Sequence, residues 1–268
     1  MSPNRRPRVI RTAGLLIVAL CALALAGCSG SSTAGGTSSQ PGAAGSPTPT
    51  VGTAYDQPVP ASVSAIEFTN QDGARVSLDS LHGKTVVLTD FLTLCQEICP
   101  LTSANFQTMA TDARKAKLGS QIEFVEVTVD PDRDRVARLA AYQKLYGAQP
   151  NWQFLTGTPA QVAALWKSFG VSYEKVADKP PLPTDWWTGK PLHYDVDHQD
   201  VVFVLGPNGD HRWIDQGTPD VQDTLPPTKL VRFLNDDGRR NLVRPEQPTW
   251  TVGDVEQGIA YVTGQSIG

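Results

Sequence analysis

The stretch Cys95-Gln96-Glu97-Ile98-Cys99-Pro100 constrains this chain more than any other, because of what flanks it. Upstream, residues 85–91 read Thr-Val-Val-Leu-Thr-Asp-Phe, β-branched and apolar, the composition of a strand buried on both faces. Downstream, proline is favoured at the first helical position, so Pro100 places Cys99 near the N-cap of a helix running toward Leu118, with Gly119 as its stop. A thiol at that point feels the positive end of the helix dipole and unpaired backbone N–H groups, both of which favour the thiolate. On a helix, Cys95 and Cys99 would have Cβ atoms about 5 to 6 Å apart, whereas a disulfide wants about 3.5 to 4.5 Å. With Cys95 in the loop before the helix, the pair can chelate a soft metal when reduced and close a disulfide when oxidised. A permanent structural disulfide is the competing reading.

The first residues bear on the compartment. Arg5, Arg6, Arg8 and Arg11 precede an apolar run, 13–23, too short for a comfortable membrane span. Leu25-Ala26-Gly27-Cys28 then looks like a bacterial lipobox. The expectation is a signal peptide over 1–27, acylation of Cys28, and a lipid anchor on the outer face of the cell membrane; an ordinary secretory cleavage site is the alternative. Residues 28–60, rich in Ser, Gly, Thr, Ala and Pro, read as a flexible tether. A domain over 61–244 and a C-terminal extension over 245–268 complete the division. After cleavage the formal charge becomes about −8, which argues against nucleic acid as a partner. Of the four cysteines, Cys21 leaves with the leader and Cys28 is acylated, so an intramolecular disulfide can join only Cys95 and Cys99.

Along the domain, Asp72-Gly73 between two alternating segments predicts a hairpin. A strand over 122–129 ends at Asp130-Pro131, and a helix from about Asp132 to Tyr146 sets Val136, Leu139, Tyr142 and Tyr146 on one face. A short strand over 152–155 follows, then a helix capped by Thr158-Pro159 with a Val162, Leu165, Trp166 and Phe169 stripe. Residues 201–205 and 212–214 flank Gly206-Pro207-Asn208-Gly209-Asp210 and read as an antiparallel hairpin, followed by helices near 228–235 and 252–261. Strand-helix alternation followed by a hairpin predicts an α/β fold: a thioredoxin-like mixed sheet flanked by helices on both faces, with an added N-terminal hairpin and an inserted one.

His198, in the stretch directly before the 201–205 strand, is the other informative residue. In a sheet wound this way that stretch lies near the end of the first central strand, within reach of the thiols. Two thiolates and an imidazole suit Cu(I) and, with a further weak ligand, Cu(II); zinc with the same ligands would keep an open position. The alternative for His198 is a loop histidine hydrogen-bonded by neighbouring acids. His193 reads as an exposed loop residue, His82 as part of a turn and His211 as a hairpin residue. Asp130 is either a helix N-cap or a residue that orients the site from behind. Trp186 and Trp187, among Pro180, Pro181 and Pro183, either cover the core or offer a docking surface.

Taken together, Cys95-Gln96-Glu97-Ile98-Cys99-Pro100, Val127-Thr128-Val129-Asp130-Pro131 with Arg133-Asp134, and Tyr194-Asp195-Val196-Asp197-His198 resemble the Sco/SenC family in order and spacing. The resemblance covers about Ile66 to Leu242. It implies a thioredoxin-like fold that binds copper through two cysteines and a histidine, here Cys95, Cys99 and His198, with Asp130 in support. It further implies a role in assembling the dinuclear copper centre of cytochrome c oxidase subunit II, either as a copper chaperone or as a thiol-disulfide reductase in which Cys95 and Cys99 form the redox pair. The chain departs from the family's common pattern at Gln96-Glu97, where a Pro-Asp pair is frequent, at Phe91-Leu92, and in a long loop after Lys175.

Overall fold

In the computed structural model, which describes residues 48–268, the chain enters the sheet earlier than its composition suggests. Strand β1 (Thr53–Pro58) pairs antiparallel with a strand of the 201–216 hairpin, so the stretch 53–58 is an edge strand rather than tether. The physical reason it reads as linker is that all six of its side chains are exposed and its ladder has one partner. Trp213 Nε1 donates to Val51 O at 2.9 Å, fastening the entry. The leader, Cys28 and most of the tether lie outside the described residues.

Helix α1 (Ala61–Ser64) leads into the hairpin β2 (Phe68–Asn70) and β3 (Arg75–Val76). Its turn is closed by Asn70 Oδ1, which accepts from Asp72 and Ala74 N–H, and Gly73 takes φ +82°. Strand β4 (Thr85–Phe91) follows with every residue buried, as its composition predicts. The chain then alternates through α2 (Cys99–Lys115), β5 (Ile122–Thr128), α3 (Val136–Tyr146), β6 (Trp152–Thr156) and α4 (Pro159–Phe169), the last opened by a Thr158–Gln161 capping box. A ribbon of β7 (Tyr173–Ala177) and β8 (Tyr194–His198) comes next, where the sequence suggests only loop. Strands β9 (Val201–Leu205) and β10 (Asp210–Gln216) form the expected hairpin. The chain ends in β11 (Thr218–Pro219), α5 (Thr228–Phe233), α6 (Asp236–Asn241), β12 (Thr249–Trp250) and α7 (Val252–Thr263).

The main sheet runs β1-β10-β9-β4-β5-β6-β2-β3, with β4, β5 and β6 parallel and β9 antiparallel to β4. Phe91 meets Tyr142 of α3 on one face, whereas Phe203, which pairs with Leu88, meets Phe169 of α4 on the other. Helices therefore cover both faces.

Residues 245–268 are not an appendage. Trp250, Val255 and Ile259 are fully buried, and α7 packs on β4, β9, β10 and α2. Gly258 lies so close to the Trp213 indole that a Cβ there would come within 3 Å of it. Glu126, in the middle of β5, is also fully buried, and it accepts from Ser103 Oγ at 2.7 Å and Trp152 Nε1 at 3.0 Å. Burial pushes its pKa up to about 8, so the folded chain keeps this carboxyl protonated where the unfolded chain would ionise it.

Two outcomes follow from this packing. Ile259→Ala should cost about 2–5 kcal/mol in chemical denaturation; a loss under about 0.5 kcal/mol would place α7 outside the cooperative core. Because Glu126 holds its proton in the folded state, its contribution is present below pH 4.5 and lost as pH rises through about 8. Denaturation midpoints across that window should fall less steeply in Glu126→Gln than in the parent.

Candidate metal centre

Strand β4 ends at Phe91, and the chain turns through Cys95 before α2 begins at Cys99 with Pro100 as its second residue. Cys95 is thus in the loop and Cys99 in the first helical turn, as the spacing predicts. The antiparallel pairing of β9 with β4, with Thr89 opposite Val202, brings the start of β9 to the end of β4. His198, the last residue of β8, arrives there too. One ligand atom each from Cys95, Cys99 and His198 lies within 4.8 Å of the others, and Cys99 Sγ is 3.2 Å from His198 Nε2. Both thiols are free, so the structure shows the dithiol rather than a disulfide. The centre is nearly closed to water: Cys95 is 6% exposed, Cys99 1% and the His198 side chain 3%.

The helix-start argument assigns the thiolate to Cys99, and the structure reverses it. Cys95 Sγ accepts the N–H groups of Glu97 and Cys99, each at 3.4 Å, whereas Cys99 Sγ accepts only that of Leu92 among the described residues. The Cys99 thiol, donating to Cys95, lowers the Cys95 pKa well below the ordinary thiol value, against burial and with help from His198. Burial, and then the neighbouring Cys95 charge, push Cys99 well above it. Of the two, the loop sulfur, which gathers the amides at the helix start, is the one that favours the thiolate.

Asp90, next to last in β4, is the residue that sequence reasoning missed. Its Oδ2 lies 2.5 Å from His198 Nδ1, and both side chains are buried. Nδ1 also faces Gln199 O at 2.9 Å. The two acceptors fix the proton on Nδ1 and turn Nε2 toward the sulfurs. Burial works against a charged His198, but the field and hydrogen bond of Asp90 outweigh it and raise the pKa well above the ordinary imidazole value. The signal was available: Asp90 is the one charged residue within 85–91, and a carboxylate in a fully buried strand requires a partner.

Asp130 touches neither sulfur nor His198. Fully buried, it pairs with Arg133 Nε and accepts from Tyr194 Oη at 3.0 Å. Arg133 in turn donates to Tyr194 O at 2.6 Å and stacks over its ring, 3.7 Å from the centroid. Asp130 therefore anchors the start of β8, whose far end carries His198. It does not cap α3, whose N-cap position is Arg135. His193 and His82 are exposed, and His211 is buried against Tyr55, Phe169 and Phe203, where burial holds its pKa down to about 4. None of the three joins the cluster.

Of the two tryptophans, Trp186 covers the core. Trp186 is buried and donates through Nε1 to Thr93 O at 2.7 Å, while its neighbour Asp185 forms a two-pronged pair with Arg138 at 2.8 and 3.0 Å. Thr93 N–H also donates to Asp134 Oδ2 at 3.1 Å. The approach to Cys95 is thereby fastened from below, and Trp187 stays exposed.

Comparison with known proteins gives a consistent result. The SCO1/SenC family model matches residues 56–223. The SCO1 protein homolog of Bacillus subtilis (strain 168) is 32% identical over 151 residues, covering 55% of this chain and 69% of that protein. The mitochondrial SCO1 homolog 1 of Arabidopsis thaliana is 30% identical over 136 residues, which cover 51% of this chain and only 36% of the relative. Among solved structures, Arabidopsis thaliana ScoI with copper bound aligns with a TM-score of 0.47 at 23% identity, over 62% of this chain and 88% of that one. By the extent of the family match and the bacterial relative, this chain belongs to the SCO1/SenC family.

Proposed function

We propose that the protein holds copper through Cys95 Sγ, Cys99 Sγ and His198 Nε2 and, tethered to the membrane by lipidated Cys28, delivers it to the dinuclear copper centre of cytochrome c oxidase subunit II. The observation that carries this reading is the convergence of the three donor atoms within 4.8 Å. Two soft sulfurs and an imidazole suit Cu(I), and a weaker fourth ligand would accommodate Cu(II). The donor set is partly prepared. Cys95 favours the thiolate, and the Nδ1 proton of His198 is held by Asp90, which leaves Nε2 as the atom offered to a metal. On binding, Cys99 would give up the remaining thiol proton and His198 the Nε2 proton of its charged form, the Nδ1 proton staying with Asp90. A cavity of about 400 Å3 lined by Ser172, Tyr173, Glu174, Asp197 and Gln199 reaches His198 and gives a partner's thiols a side from which to take the ion by ligand exchange.

The second reading is a thiol-disulfide reductase that keeps the copper-receiving cysteines of that subunit reduced. The lowered Cys95 favours it: Cys95 would attack the client disulfide and Cys99 would resolve the mixed disulfide, leaving the pair oxidised and the client with two thiols. His198 helps Cys95 ionise, but exchange itself needs only the two sulfurs, whereas an imidazole 3.2 Å from Cys99 with its other nitrogen fixed by a buried carboxylate supplies the third donor a metal requires, and it favours the metal reading.

Anaerobic copper titration of the reduced protein separates the two. One-to-one binding is expected, with Asp90→Asn weakening it about 10- to 100-fold, as loss of a carboxylate behind a ligating imidazole does, and with Cys95→Ser, Cys99→Ser and His198→Ala each weakening it further. In the same Asp90→Asn variant the His198 titration should move down toward the ordinary imidazole range, read by NMR. A silent His198→Ala, with the thiols still reducing a disulfide substrate, would remove the chaperone reading in favour of the reductase.

A further inference from the structure

The family match stops at residue 223, yet the chain beyond it returns to the loop between the two cysteines. Asn235 N–H donates to Gln96 O at 2.9 Å, and Asn235 Nδ2 donates to Glu97 Oε1 at 2.8 Å. The third polar group of Asn235, Oδ1, accepts Gly238 N–H at 2.8 Å and caps α6. Gly238 itself sits so close to this loop that a Cβ would collide with the Gln96 carbonyl and crowd Glu97 Cα. On its other side the segment is seated through Leu234, which joins Leu101, Val221 and Leu242 in an apolar cluster separate from the main core.

We propose that Asn235 is a positioning residue for the thiol pair, holding the chain between Cys95 and Cys99 so that the two sulfurs keep their separation and their approach to His198. Two observations support this. Among the described residues, the hydrogen bonds on Gln96 and Glu97 that do not involve sulfur come from Asn235. Asparagine is also the residue the geometry demands. Serine or aspartate would cap α6 as well, but neither carries a second donor for Glu97, and aspartate would set a like charge against it.

That last point makes the loop-holding role separable from helix capping. Asn235→Asp keeps the cap and breaks the tie. In the reduced, metal-free protein, amide exchange at Glu97 and Cys99 should rise about tenfold, the worth of one hydrogen bond to a charged group, while the thermal midpoint falls by only a few degrees. Glu97→Ala, which leaves α6 untouched, should match it. Asn235→Asp combined with Glu97→Gln restores the bond with donor and acceptor exchanged and should return exchange to the parent level. Copper affinity should follow the same pattern, about tenfold weaker and then restored; this half rests on the copper reading above. The inference is overturned if Asn235→Asp leaves loop exchange unchanged, or if the double variant is as impaired as the single. Parent protein that binds no copper would sink the proposed function alone, because the exchange measurements on the metal-free protein still decide the role of Asn235.

Discussion

A carboxylate at the buried end of β4 must be answered from within the protein, and the pairing of Asp90 with His198 is that answer. It is made across a sheet in which β4 and β9 run antiparallel, so neither partner can be reached by local structure alone. Once formed, it orients the imidazole, directs Nε2 at Cys99 and supplies the negative field that favours a charged ring. Around it Asp200, pushed up chiefly by burial and by Asp90, accepts from Thr102 Oγ1 at 2.8 Å at the start of α2. The centre is thus a small region of low dielectric in which few charges are carried and each has a stated partner.

Much of this was legible in the chain. The buried strand, the loop cysteine, the helix opened by Pro100 and the hairpin after His198 each follow from residue type and period, and together they place three ligand-type side chains at one end of a sheet. What escaped was whatever depends on a partner distant in sequence. The β7–β8 ribbon pairs residues separated by a loop rich in proline, so no turn signal joins its halves. Strand β1 has no buried side chain to mark it. The exchange of acidity between Cys95 and Cys99 depends on which sulfur the loop amides face, and spacing is silent on that.

Asp130 illustrates a milder case. The residue type and its place after a buried strand pointed to a residue behind the site, whereas its contacts run to Arg133 and Tyr194 at the far end of β8. A ligand carried on a two-stranded ribbon is only as well placed as the ribbon's anchored end. Tyr194 and His198 are the first and last residues of one five-residue strand.

The placement of α7 and of Asn235 has a bearing on the order of events in the life of the chain. The strand that leads to the cysteines lies in the first half of the sequence, but α7, near the C-terminus, is among the helices that pack on it, and the loop between the thiols is gripped by a residue well beyond the family match. Contacts of such sequence separation form late, because the loops they close are long. A chain emerging from its N-terminus therefore presents two cysteines before it presents a metal centre. Until α7 and Asn235 are in place, the helix that packs on β4 and the tie on the loop between the thiols are both missing, and the two cysteines belong to an unfinished fold.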